Sequence, residues 1–377
     1  MNSLIYLLSC SLVVAVAGFA STPETGSVPT RDIVSKVAVA GATGRTGSLV
    51  VQELIDRGVN VVAMVRDLEK ASDVLGPIKE GLEILRCDLS SPEEINQCSA
   101  LKECDAAIWC ATGFAEKPKP HEESKNPIQN FLEKLLPKPA KSELGKPKEE
   151  DMISIDAVGL PAMSDQFAGK GEEDGCPKVI MLSSAGVTRP SWDDEKKGMF
   201  PGSADIPIVR LNPFGILGIK AASEQTLRQS GVSYCVVRPT GLNDDWPTGS
   251  RPVVSQGDLA VGRINRKDVA HLLVDILSTP DATGKTFEAF TLAGYSPAAS
   301  ISPALKKLKK DCEGPPDLEM LEATYSTLQQ LLPGEKQDSA KIALGQTYEQ
   351  MDKNEEGRFG KRGEERVGEI TLKPTST

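Results

Sequence analysis

The chain has 377 residues, of which 39% are apolar and 25% charged, and its formal net charge is −10. That length accommodates one large α/β domain with appendages, and that charge excludes a nucleic-acid binder working by bulk electrostatics. Two histidines far apart and eight cysteines without a C-x-x-C pair offer no metal-ligand pattern; beyond Cys10 the cysteines are scattered and odd in number, as buried thiols in a reducing compartment would be.

Residues 1–18 read as a signal peptide. An apolar run from Leu4 to Ala20 is short for a membrane span, and the small residues Val16 and Gly18 suit a signal-peptidase cut before Phe19. A positive segment ahead of the run is missing, so a single-span anchor is the alternative. Residues 19–35, "FASTPETGSVPTRDIVS", are rich in hydroxyl side chains. Phe19 followed by such a leader resembles the two-part presequence of algae with secondary plastids. That resemblance implies a plastid protein with no stable membrane span in its mature chain; an ordinary secretory protein is the alternative.

"KVAVAG" from Lys36 predicts a short, fully buried parallel strand. Gly41, Gly44 and Gly47 follow with the spacing G-x-x-G-x-x-G, then a helix with Leu49, Val50, Leu54 and Ile55 on one face, then the strand "VNVVAMVR". In such a β-α-β unit the first glycine permits the turn, the second admits a pyrophosphate, and the third lets helix and strand pack closely. The pyrophosphate then rests on N–H groups at the helix start. The expected fold is therefore a doubly wound parallel sheet of Rossmann type with a nicotinamide dinucleotide at the loop, contacted by Gly41, Thr43, Gly44, Arg45, Thr46 and Gly47.

Arg66 ends the second strand, where a NAD-selective protein usually carries an acid for the ribose hydroxyls. An arginine fork suits a 2′-phosphate, so NADP (NADPH) is expected ahead of NAD, with Arg45 assisting. The competing possibility is that Arg66 is a surface cation and Asp67 turns inward. The strand "LEILRCDL" brings Asp88 and Leu89 toward the adenine. Asp88 either accepts from the adenine amine or caps the helix of "SPEEINQC", a role that Ser90 and Ser91 suit better. "CDAAIWCATG" ends at Ala111, Thr112 and Gly113, small enough to leave space for a cofactor ribose.

From about residue 114 to 151 a Lys/Glu/Pro-rich insertion breaks the pattern. It leaves the ligand-binding side of the sheet, so it is a lid, a partner-binding arm or a disordered excursion. A helix or two resumes at "MISIDAVGLPAMSDQFAG". "KVIMLSSAGVT" is the next strand, ending at Ser183 and Ser184. "NPFGILGIKAASEQTLRQSG" is a helix carrying Lys220 and closed by Gly231, and "VSYCVVRPTGL" is a strand.

The succession of GATGRTG, a strand ending in Ser-Ser, a helix with lysine and "VVRPTGL" resembles the atypical short-chain dehydrogenase/reductase family. Its NAD(P)-binding NmrA-like group, which includes plastid NADPH-binding proteins of plants, is the nearest branch, and the similarity runs from about Lys36 to Tyr295. It implies a cofactor domain over 36–295, with Ser183 or Ser184 orienting a substrate carbonyl, Lys220 on the nicotinamide-ribose hydroxyls, and Pro239 flanking the nicotinamide. It also implies a tyrosine four residues before the lysine as proton donor or acceptor. Ile216 stands there and has no proton to give. Lys220 keeps a binding role without a tyrosine, unless it is simply a solvent-facing helix lysine.

Residues 296–377 leave the family pattern. Leu318, Leu321, Tyr325, Leu328 and Leu332 mark one apolar helix face with Asp317 as N-cap, docked on its own domain or on a partner. A second, weaker helix is expected at "SAKIALGQTYEQMD", before a charged tail from Lys353. Two functions follow: an NADP-dependent oxidoreductase on a small organic substrate in the plastid, or a non-catalytic NADP-binding redox sensor or assembly factor for a plastid protein complex.

Overall fold

The computed structural model describes residues 33–77, 79–116, 152–170, 174–204 and 206–331, together with residues 15–16 and isolated positions at 343, 346, 354–356 and 360–364. Most of the expected signal peptide and leader, the body of the insertion and most of the second C-terminal helix and charged tail lie outside these residues.

Eight strands carry the fold: β1 Lys36–Ala40, β2 Asn60–Val65, β3 Leu82–Arg86, β4 Ala106–Trp109, β5 Val179–Leu182, β6 Tyr234–Pro239, β7 Arg251–Ser255 and β8 Lys285–Leu292. The sheet runs β3-β2-β1-β4-β5-β6-β8-β7, with Ala15–Val16 paired to β7 at one edge. β1 through β6 and β8 are parallel, and β7 is antiparallel to β8. The order reverses between β1 and β4. In an open parallel sheet that reversal leaves a crevice beyond the strands' carboxyl ends.

Both faces of the sheet are covered, which is why its strands are near-continuous apolar runs. Alternate residues go to opposite layers: Val37 and Val39 to one core, Ala38 and Ala40 to the other. The first layer holds α1 Gly47–Asp56, α2 Leu68–Leu75 and α6 Arg266–Ile276, which buries Val269, Leu272, Leu273 and Ile276. The second holds α3 Pro92–Gln97, α4 Ile155–Asp165 and α5 Ile216–Gln229.

The insertion leaves and returns through one short antiparallel ribbon, Phe114–Glu116 against Met152–Ser154. Its first three residues are therefore ordered by pairing with residues just ahead of α4. The C-terminal helix α7, Leu318–Leu331, starts with Asp317 accepting from Met320 N–H at 2.9 Å. It docks on its own domain: Leu321 and Leu328 join Phe200, Val253, Phe290 and Leu292 in a third core. Leu318, expected on that face, is 50% exposed.

Candidate functional site

β1 runs into Gly41 at φ 75°, and an added Cβ would lie 2.8 Å from the Ala111 backbone. The glycine thus lets the ends of β1 and β4 touch. Gly44 N–H donates to Gly41 O at 2.9 Å, and a Cβ on Gly47 would stand 2.1 Å from that same oxygen. Thr43 is half-buried, Thr46 buried, and Gly44 and Arg45 exposed. Thr46, the N-cap of α1, makes no capping bond, and the first turn holds no acid. The start of α1 therefore presents N–H groups and the positive end of its dipole to an anion. These residues fit a pyrophosphate.

Arg66 follows β2, half-buried, and makes no hydrogen bond or ion pair among the described residues. Asp67 is turned away from it, capping α2 with bonds from Glu69 N–H at 2.9 Å and Lys70 N–H at 3.1 Å. The Arg45 guanidinium pairs with Asp244, which also holds Arg266 at 2.7 Å. Asp88 accepts from both the N–H and the hydroxyl of Ser90, at 2.9 and 2.7 Å. The cap of α3 is Ser91, so the capping role weighed for Asp88 belongs elsewhere. Leu89 is buried, and its carbonyl packs against Gly159 of α4.

Beyond the end of β4, Ala111 is buried and Thr112 exposed, while Gly113 has φ 136° and accepts from Ile155 N–H at 3.0 Å. That bond sets the start of α4 against the end of β4. Lys220 is 7% exposed, with its Nζ 3.4 Å from Asp156 Oδ1. It is not a solvent-facing lysine. The neighbouring Cys110 thiol is pushed up to about 12 by burial, against the opposing pull of the Lys220 charge. The Ser183 hydroxyl donates to Glu224 Oε1 at 2.6 Å, whereas Ser184 is half-buried and donates only to Ala185 O at 3.1 Å. Burial would raise the Glu224 carboxyl, but the Arg238 fork outweighs it and holds the group below its ordinary value. Pro239 is buried at the end of β6, and the adjoining Thr240 hydroxyl is buried without a hydrogen-bond partner.

A family model described as NAD(P)H-binding matches residues 41–280, from the first glycine of the loop to beyond α6. The chain belongs to this NAD(P)H-binding family. An uncharacterised chloroplastic protein of Arabidopsis thaliana is 29% identical over 268 residues, 70% of this chain and 80% of its own. Protein TIC 62, chloroplastic, of Oryza sativa subsp. japonica is 28% identical over 283 residues, 71% of this chain but only 47% of its own length. A putative NAD-dependent epimerase/dehydratase from Bacillus halodurans, 22% identical, covers 73% of this chain and 100% of its own with a TM-score of 0.46.

In this NAD(P)H-binding protein the position one turn before Lys220 is filled by a half-buried Ile216. Among the described tyrosines, Tyr234 bonds Asp311 at 2.9 Å, Tyr325 bonds Pro201 O, and Tyr295 is 60% exposed. None stands beside Lys220. The stretch ahead of the helix is instead a turn with left-handed backbone. Asn212, Phe214 and Gly215 have φ of 28°, 56° and 64°, and Asn212 Oδ1 accepts from Leu217 N–H at 3.1 Å. Phe214 meets Phe114 edge-on at 6.3 Å, tying the lysine helix to the base of the insertion. Left-handed conformations at an asparagine and a phenylalanine are costly and persist where packing enforces them.

Asp156, Glu224 and Arg238 are site residues that reading the sequence missed. A signal was present for Glu224: with Lys220 it falls on the same helix face as Leu217 and Leu227, all buried. Two charged residues at core positions need partners. For Asp156 the signal was an acid within the apolar run "ISIDAVGL". Among the described residues no cluster suited to a metal ion occurs, and no helix is long and apolar enough to cross a membrane.

Proposed function

We propose that this protein is an NADP-dependent oxidoreductase of the short-chain dehydrogenase/reductase type, acting on a small organic substrate in the plastid. The observation that carries it is the placement of Lys220. A lysine is costly to bury, and this one is drawn into the interior beside Asp156, behind the crevice where the sheet order reverses. The loop N–H groups hold the pyrophosphate, and Arg66 takes the 2′-phosphate. Bound NADPH supplies a hydride. Ser184, the serine whose hydroxyl is not committed to Glu224, orients the acceptor oxygen, and Lys220, one helical turn beyond Ile216, is the cationic donor. The chloroplastic relatives support the plastid.

Two observations favour a second function, NADPH binding without turnover in a redox sensor or assembly factor for a plastid complex. Ile216 supplies no proton, and the Ser183 hydroxyl is engaged by Glu224. Titration of the chain with NADPH and NADH by nucleotide fluorescence, followed by NADPH consumption across a panel of carbonyl compounds and quinones, separates the two. The oxidoreductase is expected to bind NADPH more tightly and to consume it with at least one acceptor. Tight binding with no consumption would leave only the second function, and no binding of either nucleotide would eliminate both.

A further inference from the structure

Cys87 and Cys98 enclose the segment that turns from β3 into α3, and their thiols hydrogen-bond each other at the second core. Cys87 is buried and still held to the sheet, its N–H donating to Val65 O at 2.8 Å. Cys98 is half-buried and stands at a joint. It ends α3, opens the short helix Ser99–Lys102, and has extended backbone with φ −70° and ψ 96°. Its Sγ donates to Glu94 O at 3.1 Å. One sulfur of the pair is thus anchored, while the other is partly open to solvent at a point where the chain bends without unwinding either helix.

A cysteine that serves as apolar filling has no need of a sulfur partner. A disulfide does: its sulfurs stand about 2.05 Å apart, and side chains that point away from each other reach that distance only by moving backbone. Here the two side chains already face each other. Burial raises both thiols above their ordinary value, Cys87 the more strongly, while the hydrogen bond from Cys87 pulls Cys98 back down. Cys98 is therefore the thiol that ionises first, and also the one an oxidant meets. Thiols raised in this way exchange slowly, but they are poor leaving groups, so a bond between them resists reduction.

We infer that Cys87 and Cys98 form a reversible disulfide by exchange with the disulfide of an oxidant, and that this bond weakens dinucleotide binding on its adenine side. The Cys98 thiolate attacks one sulfur of the oxidant, whose S–S bond breaks and whose other sulfur leaves as a thiolate. The Cys87 thiolate then attacks Cys98 Sγ and expels the first sulfur. The pair gives up two protons and two electrons, and the oxidant takes them up as two thiols. The ring so closed contains Asp88 and Leu89, the expected adenine-side residues, and Glu94, whose Oε2 accepts from Asp88 N–H at 2.9 Å. Drawing Cys98 toward Cys87 takes its Sγ from Glu94 O, so the end of α3 and the Asp88 turn shift together. The effect on the cofactor rests on the dinucleotide binding proposed above; the disulfide does not.

The test uses the full, folded chain in an excess of oxidised dithiothreitol and, in parallel, of the reduced reagent. Free thiols are then blocked with iodoacetamide in denaturant, and the chain is digested with trypsin. Residues 87–102 follow Arg86 and end at Lys102 with no lysine or arginine between, so both cysteines fall in one peptide. After oxidation that peptide is expected to carry no blocking group and to lack two hydrogens. After reduction it carries two blocking groups, and circular dichroism shows the same fold in both reagents. Cys98→Ala, an apolar exchange, is expected to leave the Cys87 thiol blocked under both conditions. The oxidised protein is expected to bind NADPH about fivefold or more weakly than the reduced one, and Cys98→Ala to bind it equally in both reagents. Two blocking groups after oxidation of the folded chain overturn the inference. A disulfide with unchanged NADPH affinity overturns the effect on the cofactor and leaves the redox pair standing. Failure of the reduced protein to bind NADPH or NADH overturns dinucleotide binding and the effect on it, while the peptide still decides the disulfide.

Discussion

At Gly47 a single methyl group decides whether the cofactor loop can close. Its Cβ would stand 2.1 Å from the Gly41 carbonyl oxygen, and backbone, not a flexible side chain, is what it would meet. Gly47→Ala is expected to cost about 1–3 kcal/mol by overpacking and to lower NADPH affinity at least tenfold, on the order of one lost charge-assisted bond; urea unfolding and fluorescence titration measure the two effects. Arg66 acts on selectivity instead. Arg66→Ala is expected to weaken NADPH by about ten- to a hundredfold, as for the loss of a hydrogen bond to a charged group, and to leave NADH binding unchanged. A parallel loss for NADH would show that the fork does not hold a 2′-phosphate. Glycine requirements were legible in the sequence because they follow from spacing within seven residues. The partners of Ser183, Arg45 and Lys220 were not, because each is a charge or hydroxyl whose neighbour arrives from another element.

Between elements, two interfaces control the stability of the β7–β8 end. Helix α7 was readable as amphipathic, but the surface that receives it is made of Phe200, Val253, Leu259 and Phe290 from separate parts of the chain. Leu328→Ala is expected to cost about 2–4 kcal/mol, the range for a truncated core leucine, as a lowered urea midpoint. Beneath lies a buried polar network. Arg189 donates to the carbonyls of Asp258, Ser203 and Ala260, and Glu288 accepts from Asp258 N–H and the Ser255 hydroxyl. Burial first, then the Asp258 charge, raise the Glu288 carboxyl from 4.5 to about 7, against the opposing pull of Arg238 and Arg189. The folded state therefore holds this proton more tightly than the unfolded chain. Its contribution is complete below pH 4.5, is lost as pH rises to about 7, and is constant above. Glu224, held low by Arg238, acts in the opposite sense at lower pH. The readout is thus the difference between proteins: Glu288→Gln is expected to gain stability relative to the unsubstituted chain as pH rises from 4.5 to about 7. A constant difference across that window would show that Glu288 does not titrate there.

For the molecule as a whole, the cofactor crevice and the C-terminal helix belong to one folded body, since β6 pairs with β8 and β8 with β7, whose residues receive α7. One unfolding transition is expected, seen alike by tryptophan fluorescence and circular dichroism. NADPH at a hundred times its dissociation constant should stabilise the whole of it by about 2.7 kcal/mol, raising the midpoint by several degrees. A shift confined to one probe would divide the body in two.

The sequence by itself determined the β-α-β unit, the parallel sheet and the glycine loop. Each depends on periodicity or spacing within a few residues, where backbone geometry allows few solutions. Only the tertiary structure decided what surrounds them. Ser183 meets Glu224 across 41 residues, Lys220 meets Asp156 across 64, and Arg45 meets Asp244 across 199. Such pairs are set by strand order, which brings distant side chains to one sheet edge, and a buried charge takes whichever partner that order supplies.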